Sequence, residues 1–174
     1  SVIMGILNVT PDSFSDGGLH ESADAAVAQA RLMFEEGAAI IDVGGESTRP
    51  NAESVTALEE QRRVLPVIES LVALPDILIS IDTYREETAR LAVRAGAHIV
   101  NDVWGLQREP GIAKVAAETG AGLCIMHTGR GRELLPDPIE DQRVFLRRSL
   151  EIARSSGIAD ESIVLDPGFG FAKE

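Results

Sequence analysis

Short apolar runs alternate with segments of helical spacing along the chain, and this alternation limits the possible folds more than any other feature. Runs of strand length lie at Val2–Leu7, Ala39–Val43, Ile77–Ile81, His98–Val100, Gly122–Met126 and Ser162–Leu165. Helical patterns lie between them, at Asp24–Glu36, Thr56–Leu74, Thr83–Gly96, Pro110–Gly120 and Ile139–Gly157. Strict β-α alternation predicts a parallel sheet, either doubly wound or closed into a barrel.

Polar residues stand at the ends of all six predicted strands. In chain order they are Asn8, Asp42, Asp82, Asn101-Asp102, His127 and Asp166. A doubly wound sheet concentrates its chemistry at one switch point, whereas a (β/α)8 barrel places it around the C-terminal face. The repeated polar ending therefore favours the barrel. Asp42 and Asp102 remain open to a second interpretation as helix caps, and His127 to one as a structural histidine.

Local signals predict how two of the helices begin and how one is interrupted. Thr56 with Glu59, and Thr83 with Glu86, form the pattern of a capping box. Pro66 lies inside the second helical segment and is expected to kink or split it.

Length, charge and cysteine content bound the class of protein. The chain has 174 residues, a net charge of −12 and one cysteine, Cys124. Such a charge argues against nucleic acid and anionic membranes as partners, and a lone cysteine fits a reducing, cytoplasmic location. A complete barrel takes about 250 residues. We therefore expect a single domain holding six strands and five helices, the N-terminal two-thirds of a longer barrel and inactive by itself.

Two loops carry more functional groups than a connection needs. The first follows Asn8 and contains Asp12, Phe14 and Asp16, and it fits an active-site loop or a solvated surface loop equally well. The second, Gly44–Pro50, contains Thr48 and Arg49, which offer donors suited to phosphate or carboxylate. A surface turn is the alternative for this second loop.

Together these segments resemble the dihydropteroate synthase family over essentially the whole chain. The motifs that carry the resemblance occur in the family's order, at Gly5–Gly18, Asp42–Pro50, Ser80–Thr83, Asn101–Val103, Met126–His127 and Asp166–Phe171. The resemblance implies a pterin-binding TIM barrel that joins dihydropterin pyrophosphate to p-aminobenzoate, releasing 7,8-dihydropteroate and pyrophosphate in folate synthesis. The chain departs from the family at Thr128–Gly131, where Met-Gln-Gly is commoner, and at Ala172, where glycine is usual.

The resemblance also implies roles for individual residues. Asn8 is implied as a ligand of Mg²⁺ at the pyrophosphate, with Thr48 and Arg49 holding phosphate and the aminobenzoate side. The other implied positions are three pterin-binding residues, Asp82, Asn101 and Asp166, and three residues of a loop that closes over the second substrate, Asp12, Phe14 and Asp16. It further implies a cytoplasmic homodimer, when full length, that is a target of sulfonamides.

Two other functions stay open at this point. A methyltetrahydrofolate-dependent methyltransferase would share the strand-end Asp and Asn residues but would not use the loop at 10–18 or the turn at 47–50. A non-catalytic module that binds a pterin or an anion is the second alternative.

Overall fold

The computed structural model describes residues 1–9, 19–47 and 54–172. Six strands alternate with five helices in this part of the chain. The strands are β1 (Met4–Asn8), β2 (Ile40–Gly44), β3 (Leu78–Asp82), β4 (Ile99–Asp102), β5 (Gly122–Met126) and β6 (Ile163–Asp166). The helices are α1 (Leu19–Glu35), α2 (Ala57–Leu71), α3 (Glu86–Ala95), α4 (Gly111–Thr119) and α5 (Pro138–Ser155). Each observed strand overlaps the one that the sequence predicts, whereas α1 begins five residues earlier than predicted.

The order of the strands decides between the two predicted architectures. All neighbouring strands are parallel, and they follow one another in chain order from β1 to β6. A doubly wound sheet reverses its order at a switch point, whereas a barrel adds its strands consecutively. The consecutive order therefore confirms the barrel-type fold. In the described sheet β1 and β6 are the two edge strands.

The core lies between the sheet and the helices. Alternate strand residues that face the helices are fully or almost fully buried: Leu7, Ile41, Val43, Ile79, Ile81, Val100, Leu123 and Ile125. The facing helices contribute aliphatic residues and several buried alanines, among them Ala26, Ala30, Ala89 and Ala92. Because alanine lets a helix approach the sheet closely, this core closes with few aromatic side chains. None of the described helices combines the length and apolar character that crossing a bilayer requires.

Helix α2 begins as the sequence predicts but continues past its proline. Thr56 is the N-cap, and its hydroxyl accepts a hydrogen bond of 3.2 Å from the Glu59 amide. Pro66 does not split the helix, which runs unbroken to Leu71. Proline removes the amide that would bond to the carbonyl of Arg62, and both residues lie on the exposed side of the helix. Water can therefore satisfy that carbonyl, and the helix tolerates the proline.

The predicted capping box at Thr83 and Glu86 is wrong. Helix α3 is preceded by Arg85 without a side-chain cap, and the Thr83 hydroxyl accepts from the Arg85 amide at 3.1 Å. The Glu86 amide instead donates to the Glu109 carboxylate at 2.7 Å. The Thr83 amide continues the sheet by donating to the Asn101 carbonyl at 3.1 Å. Contacts from the next β-α unit therefore set where α3 begins.

Candidate functional site

One row of residues crosses the face of the sheet that points away from the helices. Its members, from β1 to β6, are Asn8, Gly44, Asp82, Asn101, Cys124 and Val164. Partners in register on parallel strands point to the same face, and so do residues two apart on one strand. Asp42 and Ser80 therefore belong to this inner face one step below the row, and Asp166 belongs to it one step above. The structure thus brings Asn8, Asp82, Asn101 and Asp166 to one face.

Asp42 is a functional candidate that the strand-end pattern misplaced. It is the third residue of β2 rather than its end, and it is 4% exposed. The Asn101 side-chain amide donates to Asp42 Oδ2 at 2.9 Å. Burial raises the pKa of Asp42 above its usual value, although the neighbouring Ser80 hydroxyl and the hydrogen bond from Asn101 oppose the rise. The sequence contained a signal for this position: Asp42 precedes Gly44 by two residues, and residues two apart on a strand share a face.

Three buried oxygens of this inner face have no hydrogen-bond partner among the described residues. They are Asp42 Oδ1, Ser80 Oγ and Asn101 Oδ1. A buried polar atom left unsatisfied costs about 1–3 kcal/mol, so a set of three on neighbouring strands indicates a place for a polar ligand. Since a carboxylate oxygen and an amide oxygen only accept hydrogen bonds, the ligand must be rich in donors.

Asp82 and Asn8 stand on either side of Gly44. A Cβ atom at Gly44 would lie 3.4 Å from Asp82 Oδ2 and 3.8 Å from Asn8 Oδ1, so the glycine leaves the space between them open. Burial raises the pKa of Asp82 well above its usual value, and the charge of Asp42 raises it further. A carboxylate in such surroundings is stabilised by a donor or a cation that faces it.

Asp166, on β6, contributes to the same acidic region of the inner face as Asp42 and Asp82. Burial raises the pKa of the Cys124 thiol to about 12, and the charges of Asp166, Asp42 and Asp82 add to the effect. The three carboxylates are therefore close enough to Cys124 for their charges to act on its thiol. One oxygen of Asp166 accepts the Gly168 amide at 2.7 Å, which holds the turn that follows β6.

Two other strand-end residues face away from this site. Asp102 follows Asn101 and so lies on the opposite face, where its carboxylate accepts the amides of Trp104 and Leu106, both at 2.8 Å. It holds the loop after β4 and caps no helix, because α4 begins only at Gly111 and is preceded by Pro110. The alternative interpretation of Asp102 as a helix cap is therefore wrong. His127 is 1% exposed and contacts Asp141, with 2.8 Å between Nε2 and Oδ2. Burial and this contact favour the interpretation of His127 as a structural histidine.

A cavity of about 150 Å³ opens beside Asp82, between the loops that follow β2, β3, β4 and β5. Tyr84 and Trp104 meet edge to face at its wall, with ring centroids 6.5 Å apart. The Arg108 guanidinium lies 3.9 Å from the Tyr84 centroid and 4.9 Å from that of Trp104. These three residues were not among the predicted site residues. The signal in the sequence was an aromatic residue two positions beyond the ends of two adjacent strands, Tyr84 after β3 and Trp104 after β4.

Arg85 holds this wall together. Its guanidinium contacts the buried Glu60 at 2.5 Å and Glu46 at 3.0 Å. It also donates to the Val55 carbonyl at 2.6 Å and to the Tyr84 hydroxyl at 2.7 Å. A buried carboxylate requires a cation or several donors. Arg85 supplies the cation to Glu60, and the Thr88 hydroxyl donates a further hydrogen bond at 3.2 Å.

Asn8 offers few donors for a metal ion. In the described residues no group of three or more His, Cys, Asp or Glu side chains could hold a metal. Asn8 is exposed at the end of β1 and offers one carboxamide oxygen. Mg²⁺ keeps several waters and takes few protein ligands when phosphate oxygens complete its shell. Asn8 therefore fits a Mg²⁺ ion that arrives with a phosphorylated substrate, and it does not fit an ion held by protein alone.

Five predicted site residues lie outside the described residues. They are Asp12, Phe14 and Asp16 of the first loop, and Thr48 and Arg49 of the second. Their roles stay predictions.

Comparisons with known proteins agree with this fold. The profile of a family described as pterin binding enzyme matches residues 4–174. Dihydropteroate synthase of Bacillus subtilis is 49% identical over 176 residues, which cover 99% of this chain and 60% of that protein. The Escherichia coli K12 enzyme of the same name is 49% identical over 180 residues, covering 98% of this chain and 62% of that protein. The chain thus spans about 60% of the length of these curated relatives.

Solved structures give the same result. Dihydropteroate synthase from Clostridium difficile, solved in the presence of pteroic acid, superposes with a TM-score of 0.95 at 49% identity, covering 100% of this chain and 66% of that one. The Xanthomonas albilineans enzyme with 4-aminobenzoic acid superposes with a TM-score of 0.89 at 45% identity, covering 97% of this chain and 61% of that one. Because the family profile covers nearly every residue and the structure has the strand order and polar inner face described above, the chain belongs to the pterin-binding enzyme family.

Proposed function

We propose that the full-length gene product is a dihydropteroate synthase, which joins dihydropterin pyrophosphate to p-aminobenzoate and releases 7,8-dihydropteroate and pyrophosphate. The observation that carries this proposal is the inner face of the sheet, where Asp42, Ser80 and Asn101 have buried oxygens without described partners. Relatives that are 49% identical bear this name. The structures that superpose on the chain were solved with pteroic acid and with 4-aminobenzoic acid.

The inner face suits the amino-pyrimidine edge of a pterin. That edge is rich in N–H donors, and carboxylates are strong acceptors for them. Asp82, Asp42 and Asp166 would accept these hydrogen bonds, and Asn101 would use its free oxygen in the same way. The Asn101 amide group is already bound to Asp42, so the pterin would meet an oxygen whose orientation is fixed.

Chemistry at this face would be electrostatic rather than nucleophilic. The pKa of Cys124 is raised to about 12, so its sulfur stays a protonated, weak nucleophile near neutral pH. The charges of Asp42, Asp82 and Asp166 act on this thiol and place negative charge near the ring. Positive charge that develops on the pterin as pyrophosphate leaves would be stabilised there, in surroundings that are already organised.

We propose Asn8 as the protein ligand of Mg²⁺. Its exposed carboxamide at the end of β1 would hold the ion together with substrate phosphate oxygens and water. When bound, Mg²⁺ would neutralise charge on the departing pyrophosphate. Replacing Asn8 by Ala should raise the Mg²⁺ concentration needed for half-maximal activity, and an unchanged requirement would count against this ligand.

The remaining roles belong to the same proposal. Thr48 and Arg49 would hold phosphate and the aminobenzoate side, and Asp12, Phe14 and Asp16 would act on the second substrate. Asp12→Ala or Phe14→Ala should then impair turnover and aminobenzoate use more than pterin binding. A cytoplasmic homodimer that sulfonamides inhibit completes the proposal, and a relative from Yersinia pestis has been solved with a sulfonamide drug.

The deciding experiment measures pyrophosphate release by the full-length gene product. Release should require both dihydropterin pyrophosphate and p-aminobenzoate. Asp82→Asn should lower kcat/KM by about 100-fold, since a charged hydrogen-bond partner in a buried site contributes up to about 3 kcal/mol. Asp76→Asn, which changes an exposed aspartate in the turn before β3, is the matched control and should change kcat/KM by less than about twofold. Release that does not need aminobenzoate would contradict the proposal, and methyl transfer from methyltetrahydrofolate would favour the alternative.

A further inference from the structure

A cluster of largely buried polar side chains lies beneath the loop that follows β5, apart from the pterin-facing surface. Its members are His127, Arg132 and Asp141, and we refer to them as the clasp. Asp141 is 4% exposed. It lies 2.8 Å from His127, pairs with Arg132 through both of its oxygens, and accepts the Leu135 amide at 3.0 Å. The hydrogen bonds from Arg132 hold the pKa of Asp141 well below its usual range, so it remains a carboxylate.

The clasp closes the loop 128–132 on helix α5. Arg132 Nε donates to the Thr128 carbonyl at 2.9 Å, while the same guanidinium contacts Asp141 in the first turn of α5. The Arg132 guanidinium lies 5.0 Å from the centroid of the Phe145 ring. His127 meets that ring edge to face, with centroids 5.0 Å apart. One arginine thus joins both ends of the loop to the helix.

The closed loop packs against the turn that follows β6. The His127 amide donates to the Asp166 carbonyl at 2.9 Å, and the Gly129 amide donates to the Phe171 carbonyl at 3.0 Å. A Cβ atom on Gly168 would come within 2.2 Å of the His127 carbonyl oxygen. The two segments therefore touch without space between them, and a shift of His127 must move the turn.

The clasp reaches Asp166 through these contacts. The Asp166 carbonyl accepts the His127 amide, and one oxygen of its carboxylate accepts the Gly168 amide. Gly168 in turn lies against the His127 carbonyl. The backbone and the carboxylate of Asp166 are therefore both held next to His127.

We propose that Arg132 is a positioning residue for pterin binding, which acts through Asp141 and His127 to fix the place of the Asp166 carboxylate. The ligand in this inference rests on the proposed function. Taking charged groups out of water is costly, and apolar residues of similar volume often serve stability as well or better. A buried clasp beneath one binding residue is therefore explained by the position that it imposes.

Binding of pteroic acid to the full-length gene product, measured by titration calorimetry, tests the proposal. Arg132→Met should weaken binding by about tenfold, because misplacing a binding group by a fraction of an ångström is sufficient for such a loss. Arg90→Met is the matched control: Arg90 has the same side-chain exposure as Arg132, 27%, and also pairs with carboxylates, but lies on α3. It should change binding by less than about twofold. Equal losses in both variants would overturn the proposal.

A double-mutant cycle separates positioning from a general effect on folding. In an Asp166→Asn background, the loss caused by Arg132→Met should shrink to less than about twofold, because coupled residues are not additive. Additive losses would overturn the proposal, since Arg132 would then act independently of Asp166.

Hydrogen exchange without ligand provides a readout that does not depend on the proposed function. In Arg132→Met the amides of His127 and Gly168 should exchange about tenfold faster, while the Ile81 amide in β3 keeps its rate. Asp141→Asn, which preserves side-chain shape, should do the same and serves if Arg132→Met fails to fold. Unchanged exchange at His127 and Gly168 would overturn the clasp. If the parent protein does not bind pteroic acid but Arg132→Met still exchanges faster than the parent at His127 and Gly168, the proposed function is refuted and the clasp is supported.

Discussion

Stability should fall as the pH rises from 5 to 8, and Asp102 allows the size of the effect to be calculated. Its side chain is fully buried, and burial raises its pKa from 3.8 to about 6 even though two backbone amides oppose the rise. A raised pKa means that the folded chain binds this proton more tightly than the unfolded chain does. The stability that the proton contributes is present at low pH and is lost as the pH rises through about 6.

The magnitude follows from the two pKa values. A pKa of 3.8 in the unfolded chain and about 6 in the folded chain corresponds to about 3 kcal/mol in total, of which about 1.4 kcal/mol falls between pH 5 and pH 8. Burial raises the pKa of Asp42 and of Asp82 as well, so both act in the same direction. Asp141 has a lowered pKa, and its contribution is lost only below the usual carboxyl range.

Urea unfolding of the full-length gene product at the two pH values measures the effect. The protein should be less stable at pH 8 than at pH 5 by at least about 1.4 kcal/mol. Asp102→Asn removes the titrating group and should reduce this difference by about the same 1.4 kcal/mol. Glu161→Gln, which changes an exposed carboxylate, should leave the difference unaltered. Equal stability at both pH values, or a full difference in Asp102→Asn, would refute the reasoning.

Three further predictions concern the inner face and the turn after β6. Pteroic acid should bind more tightly as the pH rises from 5 to 8, because its N–H donors favour the ionised form of Asp82, whose pKa is raised. Calorimetry in buffers of different ionisation enthalpy should therefore detect the release of a proton on binding. Uptake of a proton would contradict this prediction. Asp42→Asn should weaken the same binding by about tenfold, since it replaces a buried acceptor by a donor, and a titration with unchanged affinity would remove Asp42 from the site. In urea unfolding, Gly168→Ala should destabilise the fold more than Gly170→Ala. Both glycines have a positive φ, but only at Gly168 would a Cβ atom come within 2.2 Å of a backbone oxygen. Equal losses of stability would show that this close contact does not matter.

The sequence predicted those parts of the fold that depend on local periodicity. Strands and helices alternate as expected. This alternation allowed two architectures, a doubly wound sheet and a barrel, and the polar residues at the strand ends correctly favoured the barrel. The row that contains Asn8, Asp82 and Asn101 was predictable for the same reason, since parallel strands in register bring equivalent positions together. For the other polar residues, a shift of one position along the strand decided which face of the sheet the side chain lies on. Asp102 follows Asn101 and therefore faces the helices, whereas Asp42 lies within its strand and faces the inner side.

Contacts between distant parts of the chain set what the sequence did not reveal. The start of α3 depends on Glu109, which belongs to the next β-α unit. Arg85 gathers Glu60, Glu46 and the Val55 carbonyl from the preceding unit. A capping pattern or a single arginine in the sequence does not indicate such partners. Helix propensity depends on neighbouring residues only, and tertiary contacts override it.

The two faces of the sheet divide stability and recognition between them. The face toward the helices is closed by aliphatic side chains that are almost completely buried, among them Ile41, Ile81 and Ile125. The inner face holds unsatisfied oxygens and carboxyl groups with raised pKa values, and these lower the stability of the ligand-free protein. A ligand that donates to those oxygens removes the penalty only in the folded state, and so it stabilises the fold as it binds. Substitutions that make the inner face more apolar should therefore raise the stability of the free protein and lower its affinity for a pterin.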